Sequence, residues 1–222
     1  MRRMFALAGL AVLATTPAVA AERGFYVGFD AGQYSYDLDE GGLNGSIEGL
    51  VEDAGLSIVD GSSETSEDGF TYGIFVGYQV FRFLAVEAAY VDLGDAEYKS
   101  RAVVTDGLNT ADLSAQVTAE SSGPTLSVLG ILPIGPAWEV YARAGVYFGS
   151  DDVSAQVAVD GVSDAFSDSS SSEELLWGVG VGYTQAQWTL RLDYQQFTDV
   201  GDEDATGEAD VDRIALAAIF RF

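Results

Sequence analysis

The sequence predicts an all-β protein, an eight-stranded antiparallel up-and-down transmembrane β-barrel with short periplasmic turns and long acidic extracellular loops. First, hydrophobicity alternates with a period of two in segments about as long as the 9–11 residues that a tilted strand needs to cross a bilayer. Second, short and long connections alternate along the chain, which is typical of membrane barrels. Third, 29 of the 35 Asp and Glu residues lie between these segments or at their ends, in 37–69, 95–123, 149–174 and 199–212. Charged and apolar residues therefore occupy different parts of the chain.

The composition excludes several classes of function. The chain has 222 residues, 10 Lys and Arg, 35 Asp and Glu, and a net charge of −25, with no His and no Cys. Such an excess of negative charge argues against binding nucleic acid, which requires basic patches. Without Cys and His there are no disulfides, no zinc sites built from those residues and no Ser-His-Asp triad. The aromatic and glycine content with only 4 Pro favours strands over helices.

Residues 1–20 are predicted to be a secretory signal peptide. Arg2 and Arg3 give a basic start, and residues 5–14 form an apolar run that is too short to span a bilayer. Ala18 and Ala20 flank Val19 in the small-x-small form of a cleavage site. We therefore expect export from the cytoplasm and a mature chain, 21–222, that forms one transmembrane β-barrel domain.

Eight segments after the signal peptide have the alternation of strands. Three short connections, near residues 80–82, 133–136 and 184–187, pair neighbouring strands into hairpins at one end of the barrel. Longer connections lie at the other end. In chain order the predicted strands are 24–36, 70–80, 83–94, 118–132, 137–149, 174–184, 187–198 and 211–222, and the long connections are 37–69, 95–117, 150–173 and 199–210.

The last four predicted strands each have a bulky, uncharged face and a small, polar or ionic face. In the last strand, for example, Ile214 and Leu216 alternate with Arg213 and Ala215. A soluble barrel would need the reverse, an apolar interior and a polar exterior. In a membrane the bulky face contacts lipid, where an Arg at mid-depth costs about 2–4 kcal/mol. Closing the sheet into a barrel also satisfies the backbone of every strand edge in hydrocarbon. The pattern therefore favours a membrane barrel.

Aromatic residues concentrate near the strand ends on the bulky face, where membrane barrels carry their interfacial girdles. Strands are rich in aromatic residues in any case, so the position of each one alone is weak evidence. The set comprises Phe25, Tyr72, Tyr78, Tyr90, Trp138, Phe148, Trp177, Tyr183, Trp188, Tyr194, Phe220 and Phe222.

Three segments resemble the small OmpA-like, porin-family outer-membrane β-barrels: GFYVG at 24–28, LAVEAAYVDLG at 84–94, and IALAAIFRF at 214–222. The resemblance implies a bacterial outer-membrane location, contact with lipid and lipopolysaccharide, and assembly by the barrel-assembly machinery through the terminal strand ending at Phe222. Two features depart from the family pattern. We expect no peptidoglycan-binding domain after the eighth strand, and the first long connection is unusually long.

The small-residue faces carry charges that would point into the barrel. An eight-stranded barrel has an interior just wide enough to be filled by side chains. We therefore expect an ion-pair network that closes the lumen, with Glu87 and Arg143 at its centre, and with Arg191, Glu139 and Arg221 closer to the periplasmic end. The predicted members are Asp30, Glu87, Glu139, Arg143, Arg191, Asp193, Arg213 and Arg221.

This network has two interpretations. As structure, the charges neutralise one another inside a closed barrel, and the loss of one partner leaves a buried charge unpaired. As function, the same pairs form a gate that passes small solutes. The first interpretation predicts a non-enzymatic outer-membrane protein with a structural or surface-interaction role. The second predicts a narrow porin-like channel for ions or small solutes.

Neither a catalytic centre nor a resident metal is expected. Outer-membrane enzymes of similar size rely on a His, which this chain lacks. In the acidic connection, Asp202, Asp204 and Gly207 partly match the start of an EF-hand loop, but Arg213 stands where that loop needs Glu. We expect a solvated loop without a cofactor, and weak binding of divalent cations where acidic loops lie beside lipopolysaccharide phosphates.

Overall fold

The structure is a computed structural model, which describes residues 24–37, 57–66, 68–105, 110–160, 162–202 and 207–222, with single positions at 45, 49, 51, 52 and 55. The predicted signal peptide, 1–20, lies outside the described residues, and so do 15 of the 33 residues of the connection between the first two predicted strands. No helix in the described part of the chain is long and apolar enough to cross a membrane.

Nine strands are present within the described ranges, and the short turns between them lie close to the predicted positions. The turns at 135–137 and 186–187 each contain a residue with positive φ, Gly135 (79°) and Ala186 (54°). The strands are β1 (Gly24–Asp37), β2 (Ser57–Ser66), β3 (Asp68–Phe81), β4 (Leu84–Thr105), β5 (Thr110–Ile134), β6 (Trp138–Val159), β7 (Val162–Gln185), β8 (Trp188–Asp202) and β9 (Gly207–Arg221).

Eight of these strands close into an antiparallel ring. β1 pairs with β3 on one side and with β9 on the other, and the pairing of β4 with β5 completes the ring. The register of β1 against β9 runs from Tyr26 opposite Arg221 to Asp37 opposite Asp210. No edge remains in the part of the sheet that crosses the bilayer, as hydrocarbon requires. The predicted fold, an eight-stranded up-and-down barrel, is confirmed.

The sheet extends further beyond the barrel than the sequence predicted. The β4–β5 hairpin continues to Thr105 opposite Thr110, and the β6–β7 hairpin continues to Val159 opposite Val162. β2, which lies within the predicted connection 37–69, pairs with the upper part of β4. The prediction of connections at 95–117 and 150–173 was therefore wrong for most of those residues, because they lie in strands. Their alternation is weak, but backbone pairing on an already formed ladder continues it with small side chains.

The two faces of the barrel are as the alternation predicted. On the outer face Trp177, Leu190 and Leu216 are 44%, 54% and 57% exposed, whereas Ala215 and Ile219 on the inner face are 2% and 0% exposed. Nine members of the predicted aromatic set are exposed, and the other three, Tyr78, Tyr194 and Phe220, are half-buried. An exposed apolar surface on a closed barrel is the surface that lipid covers.

The upper end of the membrane-spanning part is marked on the outer face by Tyr72, Tyr90, Phe148 and Tyr194. The next outward residues above this row are mostly polar, with Phe70 as an exposed exception. Inside, two buried apolar clusters lie at different heights. The lower cluster includes Tyr26, Phe75, Leu129, Ile131, Tyr141 and Ile219. The upper cluster includes Tyr34, Tyr36, Leu93, Tyr147, Leu176, Phe197 and Val211.

Candidate functional site

The centre of the lumen is a carboxylate held by two guanidinium groups. Glu87 on β4 accepts a hydrogen bond from Arg143 of β6, with 2.5 Å between Nη2 and Oε2. Arg191 of β8 donates to the other oxygen, with 2.6 Å between Nη1 and Oε1. Tyr26 of β1 also donates to Oε1, at 2.7 Å. Glu87 is 2% exposed, so four strands are joined by one buried carboxylate.

A second carboxylate lies beside this centre. Asp193 on β8 is 3.8 Å from Nη2 of Arg143 and 3.8 Å from Nε of Arg191, and it accepts a hydrogen bond from the hydroxyl of Tyr141. The guanidinium of Arg191 also lies over the ring of Tyr141, 5.0 Å from its centroid, and over Phe75 at 4.9 Å. Two arginines thus share two carboxylates, and aromatic rings cover the guanidinium of Arg191.

A separate pair lies above the centre, toward the extracellular end. Arg213 on β9 donates to Asp30 on β1, to Thr71 Oγ1 at 2.9 Å from Nε, and to Gln195 Oε1 at 3.3 Å from Nη1. Arg213 is 1% exposed and Asp30 is 6% exposed. Both residues of this ion pair are therefore buried, and neutral donors and acceptors complete its hydrogen bonding.

Another pair lies below the centre, near the short turns. Nη2 of Arg221 on β9 is 3.1 Å from Oε1 of Glu139 on β6. Arg221 also donates to Gln79 Oε1 at 2.5 Å and to Thr189 Oγ1 at 3.0 Å. Side-chain exposure at this pair is 13% and 14%, so this level is less enclosed than the two above it.

Glycines on the inner face make room for the large side chains of the lumen. A Cβ on Gly77 would lie 2.1 Å from the ring of Tyr26, and a Cβ on Gly180 would lie 2.3 Å from the hydroxyl of Tyr141. Any larger residue at these two positions would displace the tyrosines from Glu87 and Asp193. The glycines in the sixth predicted strand therefore have a packing role.

The structure places all eight sequence-predicted charges on the lumen face, in three groups. Arg191 begins closer to the periplasmic end, as expected from its distance to the turn, but its long side chain reaches up to Glu87. Sequence reasoning missed the neutral partners of these groups. The alternation along each strand places them on the inner face. The sequence does not show, however, which charged group each neutral side chain contacts. They are Tyr26, Thr71, Gln79, Tyr141, Thr189 and Gln195.

No resident metal site is evident in the described part of the chain, where no group of three or more Asp and Glu is arranged to hold an ion. Of the partial EF-hand match, Asp204 lies outside the described residues. At the start of that connection the backbone N–H of Asp199 donates to Asp210, with an N–O distance of 3.1 Å.

Comparison with known proteins gives consistent matches. The family model for the OmpA-like transmembrane domain matches residues 20–222. Outer membrane protein A of Serratia marcescens is 29% identical over 219 residues, which is 98% of this chain and 54% of that protein. Outer membrane protein P5 of Haemophilus influenzae is 29% identical over 201 residues, 88% of this chain and 51% of that protein. The chain thus spans about half the length of these curated relatives.

Among solved structures, Neisserial surface protein A is similar with a TM-score of 0.49 and 16% sequence identity, covering 90% of this chain and 97% of that one. The closed eight-stranded ring, its lipid-facing exterior and the match over residues 20–222 agree. The chain therefore belongs to the family of OmpA-like transmembrane domains, and it is a β-barrel of the bacterial outer membrane.

Proposed function

We propose that this protein is a non-enzymatic outer-membrane barrel with a structural or surface-interaction role, and that charged side chains close its lumen. The observation that carries the proposal is the double engagement of Glu87 by Arg143 and Arg191, at 2.5 and 2.6 Å, in the middle of the barrel. Four strands contribute to this contact when Tyr26 is included.

Charge balance supports closure. The four lumen arginines face the four carboxylates of the predicted network, in a central group, one group above it and one group below it. Each of these three levels is therefore neutral and needs no mobile ion. Ion pairs also lie above and below the centre, and the apolar clusters fill much of the remaining interior. A solute would have to break at least three buried contacts in series, and each break leaves a charge unpaired at a cost of several kcal/mol.

The same arrangement supports a non-enzymatic role. General acid–base catalysis needs a group that is free to exchange a proton with a substrate. At all three levels of the lumen the carboxylates are bound by arginine, and the chain has no His to serve instead.

Planar-bilayer conductance tests closure. The purified protein, shown to be folded by its heat-modifiable gel migration, is expected to produce no stable single-channel steps. Glu87→Ala and Arg143→Ala are expected to stay at the same closed baseline, because the apolar clusters and the other two ion pairs remain. Lys99→Ala, which removes a cation from the extracellular hairpin, is the matched control. Stable steps from the wild type would overturn the proposal.

A narrow channel is the second candidate, and the position of Asp193 favours it. Because Asp193 lies 3.8 Å from both Arg143 and Arg191, each arginine has an alternative carboxylate within a short movement. If exchange between the two carboxylates opens a path, Glu87→Ala and Arg143→Ala will raise conductance above the wild type, whereas Lys99→Ala will not.

The partners of the barrel are also part of the proposal. Phe222 is 70% exposed at the end of β9, where the assembly machinery would read it. Phe222→Ala should lower the amount of barrel in the outer membrane of cells but leave refolding into detergent unchanged. Weak divalent binding by acidic residues beside lipopolysaccharide should appear as Mg²⁺-dependent association with lipopolysaccharide vesicles, which a chelator reverses.

A further inference from the structure

One buried carboxylate is left over from the charge pairing of the barrel. Four acidic residues are buried in the described part of the chain: Asp30, Glu87, Asp151 and Asp193. Three of them contact an arginine, but Asp151 has no Lys or Arg within ion-pair distance among the described residues. Asp151 is 5% exposed, and an unpaired charge at such a position is costly.

The basic side chains of the described ranges do not neutralise it. All Lys and Arg residues after position 23 lie in the described ranges. The undescribed stretches between β1 and β2, at 106–109 and at 203–206 contain none. Four arginines are engaged in the lumen, Arg82 lies in a short turn at the opposite end, and Lys99 pairs with Glu97 at 2.6 Å. Arg101 is exposed on the upper part of β4, opposite Ser62 and Ser114.

Hydroxyl groups surround the Asp151 carboxylate. Ser121 Oγ donates to Oδ1 at 2.6 Å, and Ser172 Oγ donates to Oδ2 at 2.8 Å. The hydroxyl of Tyr147 lies 2.7 Å from Ser121 Oγ. Because Ser121 uses its proton on Asp151, the hydroxyl of Tyr147 donates to Ser121 Oγ, which keeps one lone pair free to accept. The cluster is thus built from oxygen atoms with one negative charge among them.

Two more oxygen atoms of this region are buried without a hydrogen-bond partner in the described residues: Ser170 Oγ and Tyr36 Oη. Ser170 lies directly opposite Asp151 in the β6–β7 ladder, on the same face. Tyr36 is 6% exposed and packs in the same apolar cluster as Tyr147. Burial and the neighbouring Tyr147, Tyr34 and Asp151 raise the pKa of the Tyr36 hydroxyl, so it remains a neutral oxygen ligand.

Gly149 lets these side chains approach the backbone of β6 closely. A Cβ on Gly149 would lie 2.6 Å from Ser172 Oγ, 2.9 Å from the ring of Tyr147 and 3.2 Å from Asp151 Oδ1. We propose that this cluster, which we call the Asp151 site, binds a monovalent hard cation, Na⁺, just inside the extracellular mouth. Oxygen ligands suit hard cations, and one carboxylate among neutral hydroxyls balances one positive charge, whereas Ca²⁺ sites gather several carboxylates.

The test is the dependence of unfolding on the cation supplied. The full barrel is unfolded by heat in non-ionic detergent micelles at constant ionic strength, in NaCl or in N-methylglucamine chloride, and followed by tryptophan fluorescence. A ligand that binds only the folded state raises the midpoint in a saturable way. At ten times its Kd, Na⁺ should raise the midpoint by about 4 °C.

Asp151→Asn, which keeps the shape of the side chain, should abolish the stabilisation by Na⁺. In Ser172→Ala, half of the stabilisation should require a higher Na⁺ concentration than in the wild type. The matched control is Asp152→Asn, since Asp152 is exposed on the opposite face of the strand and should leave the effect intact. The proposal fails if the wild-type barrel unfolds at the same temperature in the two salts, or if Asp152→Asn loses the stabilisation by Na⁺. It also fails if Ca²⁺ stabilises the barrel at a hundredfold lower concentration than Na⁺.

Discussion

Neutralising the central carboxylate should destabilise the barrel far more than neutralising a surface one. In Glu87→Gln the side chain keeps its size, but Arg143 and Arg191 lose the charge that they contact at 2.5 and 2.6 Å. Asp193 remains 3.8 Å away from both and cannot compensate fully. Breaking a buried pair by removing one partner costs about 3–5 kcal/mol, which is the loss expected in the free energy of unfolding.

The assay is reversible urea unfolding of the barrel in lipid vesicles, followed by the three tryptophans, all of which lie on the outer face. The matched control is Glu97→Gln. Glu97 contacts Lys99 at 2.6 Å, but the two side chains are 28% and 42% exposed, so the loss should be below about 1 kcal/mol. If the two variants lose the same free energy of unfolding, the lumen charges are solvated and the reasoning fails.

Two further pairs of substitutions, each a test with its matched control, probe the two faces of the barrel wall. Leu190→Arg places a charge in lipid and should cost about 2–4 kcal/mol, whereas Gln196→Arg, on the same face above the aromatic row, should cost about 1 kcal/mol or less in the same urea titration. Equal costs would contradict the assigned membrane position. Gly180→Ala puts a Cβ 2.3 Å from the Tyr141 hydroxyl and should lower the free energy of unfolding by about 1–3 kcal/mol. Gly130→Ala, the control, meets open space and should be neutral. If Gly180→Ala leaves the free energy of unfolding unchanged, the packing role is refuted.

Strand parity made the barrel predictable from the sequence. In β9, Ile214 and Leu216 alternate with Arg213 and Ala215, and only one orientation of the strand keeps the arginine out of lipid. That constraint is local, since each strand carries its own two faces. The lumen charges follow from the same parity, which is why residues far apart in sequence could be assigned to one interior.

The length of the hairpins was harder to predict because it depends on pairing between strands. The serine run at 169–172 resembles a loop by composition, yet it lies in β7 with Ser172 facing Asp151. Counting two residues past the predicted end of the fifth strand, from Tyr147 to Gly149 and Asp151, would have put this carboxylate on the inner face. The sequence of one strand does not show that its pairing with the neighbouring strand continues this far. That depends on the partner strand, β7.

The central claim is that the bulky face of the wall contacts lipid, and the tryptophans test it most directly. Trp138, Trp177 and Trp188 are 53%, 44% and 58% exposed on that face. In vesicles of brominated phospholipid their fluorescence should be strongly quenched, while aqueous iodide should have little effect. Fluorescence that is insensitive to the brominated lipid but quenched by iodide would show that the apolar face does not contact the bilayer.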